Sequence, residues 1–297
     1  MITGYSSMIE KISRLRGSAM SIAAAQDKDI LEAACKASAV ARVKPILFGD
    51  AREIDRLRKE IGYTGECKII NEPDDLAATK AAVKSVHNGE ADVLMKGLIN
   101  TSDYLRAVLN RDEGLRSGNL LSHFSAFEIP GRGRMLFLTD GGFNIAPDLR
   151  EKREILKNAL GAMRKMGYEC PNVAVVTANE QVNEKAIATV HADLISRAAA
   201  KGEFGECVVE GPIAFDVAIS KEAAFHKHID SKVSGCVDLI LAPTIEVGNV
   251  LGKCLSILVG AKMSGVVLGA SAPVVLTSRS EDAESKLNSI LLAASCI

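Results

Sequence analysis

The sequence predicts an α/β protein with mostly parallel sheet flanked by helices, and three observations carry the prediction. Short apolar runs rich in Val, Ile and Leu alternate with longer stretches of helical periodicity. Alternation of that kind is the pattern of a parallel sheet buried on both faces. The strand candidates also end repeatedly in polar loops of one type, each followed by a helix. Finally, 297 residues suffice for one large or two ordinary domains with a sizeable core.

In chain order, buried strands are expected at 43–48, 67–70, 91–95, 135–138, 173–176, 237–242 and 265–268, each a short aliphatic run. Helices are expected at 51–61, 74–87, 102–109, 148–166, 183–200 and 246–259 from their periodicity. A last helix at 282–294 carries Ala283, Leu287, Ile290, Leu291 and Ala294 on one face. The rhythm breaks at 111–139. Gly114, Ser117, Gly118 and Ser122 precede an apolar run, and Pro130-Gly131-Arg132-Gly133 precedes another, which predicts a hairpin with a few antiparallel strands. A domain boundary is expected near Pro147, where a long helix begins.

Composition narrows the function. Thirty-six basic against thirty-seven acidic residues give a formal charge of -1, with 4% aromatics and no Trp. That balance carries no nucleic-acid footprint and no stacking platform. Seven scattered cysteines without a C-x-x-C pair read as reduced thiols in the cytoplasm. The N-terminal stretch lacks the apolar core of a signal peptide, and apolar stretches such as 237–242 are too short to span a bilayer.

Four strand-end loops carry candidate chemistry. In the first, Lys96 offers a point charge and Gly97 close backbone approach. Thr101 or Ser102 adds a hydroxyl at a helix N-terminus, where free N–H groups attract anions; either residue also suits a plain cap. The second ends in Thr277-Ser278-Arg279. The guanidinium suits forked phosphate recognition, while Ser278-x-x-Glu281 has the form of a capping box, and the two readings are compatible. The third holds Gly248 and Asn249, a donor and acceptor in one side chain. The fourth, Asp140 to Pro147, holds Gly141, Gly142 and Asn144, which equally fit a turn.

Sharper motifs are absent. Gly131-Arg132-Gly133 lacks the third glycine of a dinucleotide fingerprint, and there is neither a phosphate loop of the G-x-x-x-x-G-K-[ST] form nor a nucleophile elbow. His226 and His228 have no partners at metal-ligand spacing, so no metal site is expected. His123 suits either an active site or a structural role. No cysteine lies in an activating motif.

Taken together, the loops resemble the phosphate acetyl/butyryltransferase family. The matching segments are Ala91 to Gly97 with Thr101 and Leu105 to Leu109, Leu121-Ser122-His123, and Asn144-Ile145-Ala146-Pro147. Glu210 to Asp216, Ile245-Glu246 with Gly248 to Leu251, and Ala272 to Arg279 continue the match. It runs collinearly from about Lys44 to the C-terminus and is closest to the phosphate butyryltransferase branch.

The resemblance implies that acyl-CoA and inorganic phosphate interconvert with acyl phosphate and coenzyme A, with butyryl-CoA the preferred substrate. Coenzyme A is then a substrate, and no tightly bound cofactor is expected. It implies a fold like the isocitrate/isopropylmalate dehydrogenase group, with a cleft between two domains. Residues 1–146 with 271–297 would form the first domain and 147–270 the second, through which a homodimer or larger oligomer pairs. By the same resemblance Arg279 holds phosphate and Ser278 hydrogen-bonds the thiol or oxyanion. Glu284 is the preferred base, with Glu281 and Asp282 as rivals, because Ser285 stands at the offset where relatives place a carboxylate. Lys96, Gly97, Thr101, Ser122, His123, Asn144, Asn249 and Thr277 fall to phosphate and CoA contacts, and Arg132 or Arg134 to the CoA phosphates. Thr244 replaces a usual Asp. Three rival readings are acetyl specificity, a non-catalytic CoA or acyl-phosphate binder, and a metal-dependent decarboxylating dehydrogenase. The last wants clustered aspartates, and the chain has no D-x-x-x-D pair.

Overall fold

The computed structural model describes residues 2–14, 17–277 and 281–297. The chain opens with α1 (Tyr5–Arg14), β1 (Ala19–Ala23), α2 (Lys28–Ala41), β2 (Lys44–Gly49), α3 (Ala51–Glu60) and β3 (Lys68–Asn71). Then come α4 (Asp75–His87), β4 (Val93–Lys96), α5 (Thr101–Val108), β5 (Ser122–Glu128), β6 (Leu136–Thr139) and α6 (Leu149–Lys165). The middle continues with β7 (Asn172–Thr177), α7 (Ile187–Ala200), β8 (Val208–Ala214), α8 (Phe215–Ile219), α9 (Lys221–His226), β9 (Leu239–Leu241) and α10 (Ile245–Lys253). A π-helical turn (Cys254–Leu258), β10 (Lys262–Leu268), β11 (Val274–Val275) and α11 (Ala283–Ser295) complete the chain. The chain divides into two compact units, residues 2–119 with 263–297, and residues 120–262.

In the unit of residues 2–119 and 263–297 the strand order is β3-β2-β1-β4-β11-β10, parallel except for the β11–β10 pair. Strands are added outward from β1 to β3, then the chain crosses back to β4 beside β1. Right-handed crossovers therefore place α4 on the face opposite α2 and α3. The reversal makes β1 and β4 a topological switch point, where ligands of open α/β sheets bind at the carboxyl ends of the strands. α11 packs against α2 and α1, and the Tyr5 hydroxyl donates to Ser264 Oγ at 2.7 Å, tying the two chain ends into one core.

In the unit of residues 120–262 the order is β5-β6-β9-β7-β8, parallel except for the β5–β6 hairpin. The hairpin turn uses Gly131 (φ 76) and Gly133 (φ 70), a left-handed backbone that favours glycine. The hairpin, assigned from sequence to the first domain, pairs through β6 with β9 in this unit. Phe124, Phe127 and Phe137 are among its fully buried side chains. β6 and β9 run side by side, with Thr139 opposite Leu241, so the loops that follow them emerge together.

Candidate active site

In the first unit the switch point is tightly built. Gly97 follows the fully buried β4, and a Cβ added there would lie 2.2 Å from the carbonyl oxygens of both Ala23 and Ala24. The close approach this glycine permits is thus to the end of β1. The Leu98 N–H donates to Ala24 O at 2.7 Å, and the Lys96 ammonium, 4% exposed, lies 3.3 Å from Gly97 O. β11 pairs with β4 at Val275↔Met95. Continuing that register sets buried Thr277 beside Gly97, at the same strand ends as Lys96. Ser278 and Arg279, which follow Thr277 in the chain, lie outside the described residues.

Two expected caps fall elsewhere. Asn100 caps α5, accepting from the Asp103 N–H at 2.9 Å, while Thr101 is exposed and Ser102 donates to Asn100 Oδ1. Asn100 wins because it stands one residue ahead in extended backbone, the conformation a cap requires. α11 likewise starts after Asp282, whose carboxylate accepts from the Ser285 N–H at 2.8 Å. That backbone donor holds the Asp282 carboxyl below the usual range. Glu284 sits exposed in the first turn of the same helix.

In the second unit, the loop after β6 is organised by a residue that the sequence reading did not single out. Asp140, 2% exposed, accepts five N–H donors. The backbones of Gly142 and Phe143 reach Oδ1, both at 2.9 Å. The backbones of His123 and Asn144 and the Asn144 amide reach Oδ2, at 3.1, 3.3 and 2.7 Å. An acidic residue followed by a glycine-rich run is an Asx-turn signal, and that pattern was legible.

Asn144 spends its side-chain N–H groups on Leu121 O (2.8 Å) and Asp140, which leaves its amide oxygen for any ligand. Ser122, 1% exposed, accepts from Asn158 Nδ2 at 3.0 Å. His123 is half-buried, with Nδ1 3.2 Å from Ser125 Oγ. Burial pushes its imidazole below the usual value of 6.5, against the opposing pull of the Asp140 charge. Asn249, midway along α10, donates to Gly141 O at 3.2 Å. Gly248 and Gly141 let α10 meet the loop: a Cβ on Gly248 would lie 2.6 Å from Asp140 O.

Other sequence candidates serve structure. Arg134 pairs with Asp238, and Arg132 donates to Val237 O at 2.7 Å. Both precede β6, at the strand end opposite the Asp140 loop. Glu210 accepts from Ser231 Oγ and the Lys232 N–H. Lys227, between His226 and His228, pairs with Glu180 and Asp216. Among the described residues no helix is long and apolar enough to cross a membrane.

Each unit thus ends its parallel strands in polar loops, one beside the buried Lys96 and the other organised by Asp140. The chain belongs to the family described as "Phosphate acetyl/butaryl transferase", whose model matches residues 66–294. It is 42% identical over 295 residues to "Phosphate butyryltransferase" of Clostridium acetobutylicum, covering 99% of this chain and 98% of that one. It is 39% identical over 285 residues to "Phosphate acetyltransferase" of Thermotoga maritima, covering 96% and 97%. Among solved structures it is similar to a branched-chain phosphotransacylase from Enterococcus faecalis, with TM-score 0.83, 33% identity and coverage of 94% and 98%. The protein is a phosphate acyltransferase enzyme.

Proposed function

We propose that the enzyme interconverts a short-chain acyl-CoA, butyryl-CoA by preference, and inorganic phosphate with acyl phosphate and coenzyme A. The observation that carries this reading is the pairing of β4 with β11 at the switch point. It brings Lys96 and Thr277 to neighbouring strand ends, directly ahead of Ser278-Arg279 in the chain. The identity with the clostridial phosphate butyryltransferase supports the butyryl preference.

In the forward direction a phosphate oxygen attacks the thioester carbonyl, an oxyanion develops, and the CoA thiolate leaves and takes a proton. In reverse a carboxylate removes the thiol proton and the thiolate attacks the acyl phosphate. Arg279 and Lys96 neutralise phosphate, and the hydroxyls of Ser278 and Thr277 hydrogen-bond the reacting centre. Glu284 is the base, since Asp282 is committed to the helix cap. Gly97 and Thr101 shape the anion end. Ser122, His123, Asn144 and Asn249 supply polar contacts for CoA or the acyl group.

The enzyme works as a homodimer or larger oligomer in the cytoplasm. Val250, Ile257 and Leu258, 60%, 74% and 80% exposed along α10 and its π-helical turn, are the apolar surface that a second copy covers. Free cysteines at all seven positions fit a reducing compartment. The test is a panel of acyl-CoA substrates from acetyl to valeryl, isobutyryl included, assayed for CoA release with and without phosphate. The reading expects the highest kcat/KM on butyryl-CoA. Highest kcat/KM on acetyl-CoA favours acetyl specificity, and tight CoA binding with no turnover favours a binding protein.

A further inference from the structure

We propose that Asp140 is a positioning residue of the acyl-transfer site, acting through His123. The inference rests on the reading of His123 as a group that contacts substrate.

The argument begins with acceptor capacity. An ionised carboxylate offers about four lone-pair sites, and Asp140 already receives five N–H donors while 2% exposed. No capacity remains for a proton or a ligand, so Asp140 is not a base. Its donors show what it does instead. Three come from the turn after it, at Gly142, Phe143 and Asn144, and one from the backbone of His123 on the neighbouring strand. The fifth, the Asn144 amide, also donates to Leu121 O, which stitches the turn to the residue two before His123.

His123 is thereby held from both sides. Its N–H is bound by Asp140, and its carbonyl accepts from Thr139 Oγ1 at 2.8 Å. The turn also passes beside the ring: a Cβ added to Gly142 would lie 3.1 Å from His123 Cγ and 3.2 Å from Nδ1. Ser125 Oγ occupies the Nδ1 side at 3.2 Å, which leaves Nε2 as the nitrogen a ligand meets. The same turn carries Gly141, whose carbonyl accepts from Asn249. One carboxylate thus ties the backbone of His123 to the turn that borders its ring.

Asp140→Asn keeps the shape and turns one acceptor into a donor facing N–H groups. The experiment measures phosphate-dependent CoA release from butyryl-CoA for Asp140→Asn, His123→Ala and the double variant, each corrected for folded fraction by circular dichroism at the assay temperature. Misplacement of a contacting group by about 1 Å costs on the order of 100-fold in rate, and a loss of that size in kcat is expected for Asp140→Asn. The double variant should be no slower than His123→Ala alone, because both changes remove one function. Full kcat per folded Asp140→Asn molecule, or losses that multiply in the double variant, overturns the inference and leaves His123 in the site. A wild-type rate in His123→Ala refutes the reading beneath it as well. Should Asp140→Asn not fold, Gly142→Ala is the second probe. Gly142 is exposed, so the fold tolerates the methyl, which pushes the imidazole directly. Loss of kcat with unchanged melting temperature supports the inference, and a wild-type kcat overturns it.

Discussion

Replacing Gly248 with alanine probes the contact between α10 and the loop after β6. The new Cβ would lie 2.6 Å from Asp140 O, 2.7 Å from Gly141 Cα and 3.1 Å from the Asp140 carbonyl carbon. All three are backbone atoms, so no flexible side chain can swing aside. Asp140 is held by its N–H donors, and α10 must retreat. Overpacking of this kind costs about 1–3 kcal/mol. Losing the bond from Asn249 to Gly141 adds about 0.5–1.5 kcal/mol, and the better helix propensity of alanine returns about 1 kcal/mol. The net is a destabilisation of about 0.5–3.5 kcal/mol, or roughly 1–14 °C in melting temperature. Gly161 in α6 has no atom within 4 Å of an added Cβ, so Gly161→Ala should stabilise by up to about 1 kcal/mol. Differential scanning calorimetry of both variants, with phosphate-dependent CoA release on the same samples, is the assay. A Gly248→Ala protein that melts at or above the wild type refutes the packing argument.

The same reasoning applied to Gly97 predicts a larger effect, since both contacts there stand at 2.2 Å. Gly97→Ala should cost about 3 kcal/mol or more in urea unfolding, and a loss below about 1 kcal/mol contradicts the geometry. Acid should weaken the fold through two histidines. Burial first, opposed by Asp140 at His123 and reinforced by the Lys152 ammonium at His191, lowers both imidazoles from 6.5. Each is neutral when folded, so the unfolded chain binds the extra protons. Stability is therefore full above the unfolded value and is lost as pH falls through it toward the folded values. His191→Gln should flatten the fall in melting temperature between about pH 7 and 5, and an unchanged slope refutes this. Asp282→Ala should cost about 1 kcal/mol through the lost cap of α11, with activity per folded molecule retained. Glu284→Gln should lower kcat by about 100-fold or more with little change in melting temperature. The reverse assignment of these two effects would make Asp282 the base.

Much of the fold was legible because bulky aliphatic runs mark buried strands. β2, β4, β6 and β7 follow directly from Val, Ile, Leu and Phe clusters. β1, the strand that creates the switch point, was missed. Its sequence Ala-Met-Ser-Ile-Ala is small and carries Ser21 at its centre, and that hydroxyl is satisfied by Ser85 only in three dimensions. β8 was missed for a related reason, since Glu210-Gly211-Pro212 reads as a turn until Glu210 finds Ser231 and Lys232. The π-helical turn after Lys253 interrupts what periodicity alone reads as one helix from 246 to 259. In the site, the strand-end loops were readable from their composition, yet the division of labour inside them was not. Asn100 and Asp282 stand close to hydroxyls that fit the same capping pattern, and only backbone conformation separates them. Asp140 looks like an ordinary turn residue until its donors from two elements are counted.

The most direct test of phosphate acyl transfer is the mass balance of one reaction. Purified protein is mixed with butyryl-CoA and phosphate, thiol release is followed with a disulfide reagent, and butyryl phosphate is measured by phosphorus NMR. Equimolar thiol and butyryl phosphate, with no thiol released when phosphate is left out, is the predicted result. Thiol release that continues without phosphate, or that yields butyrate in place of butyryl phosphate, contradicts the account.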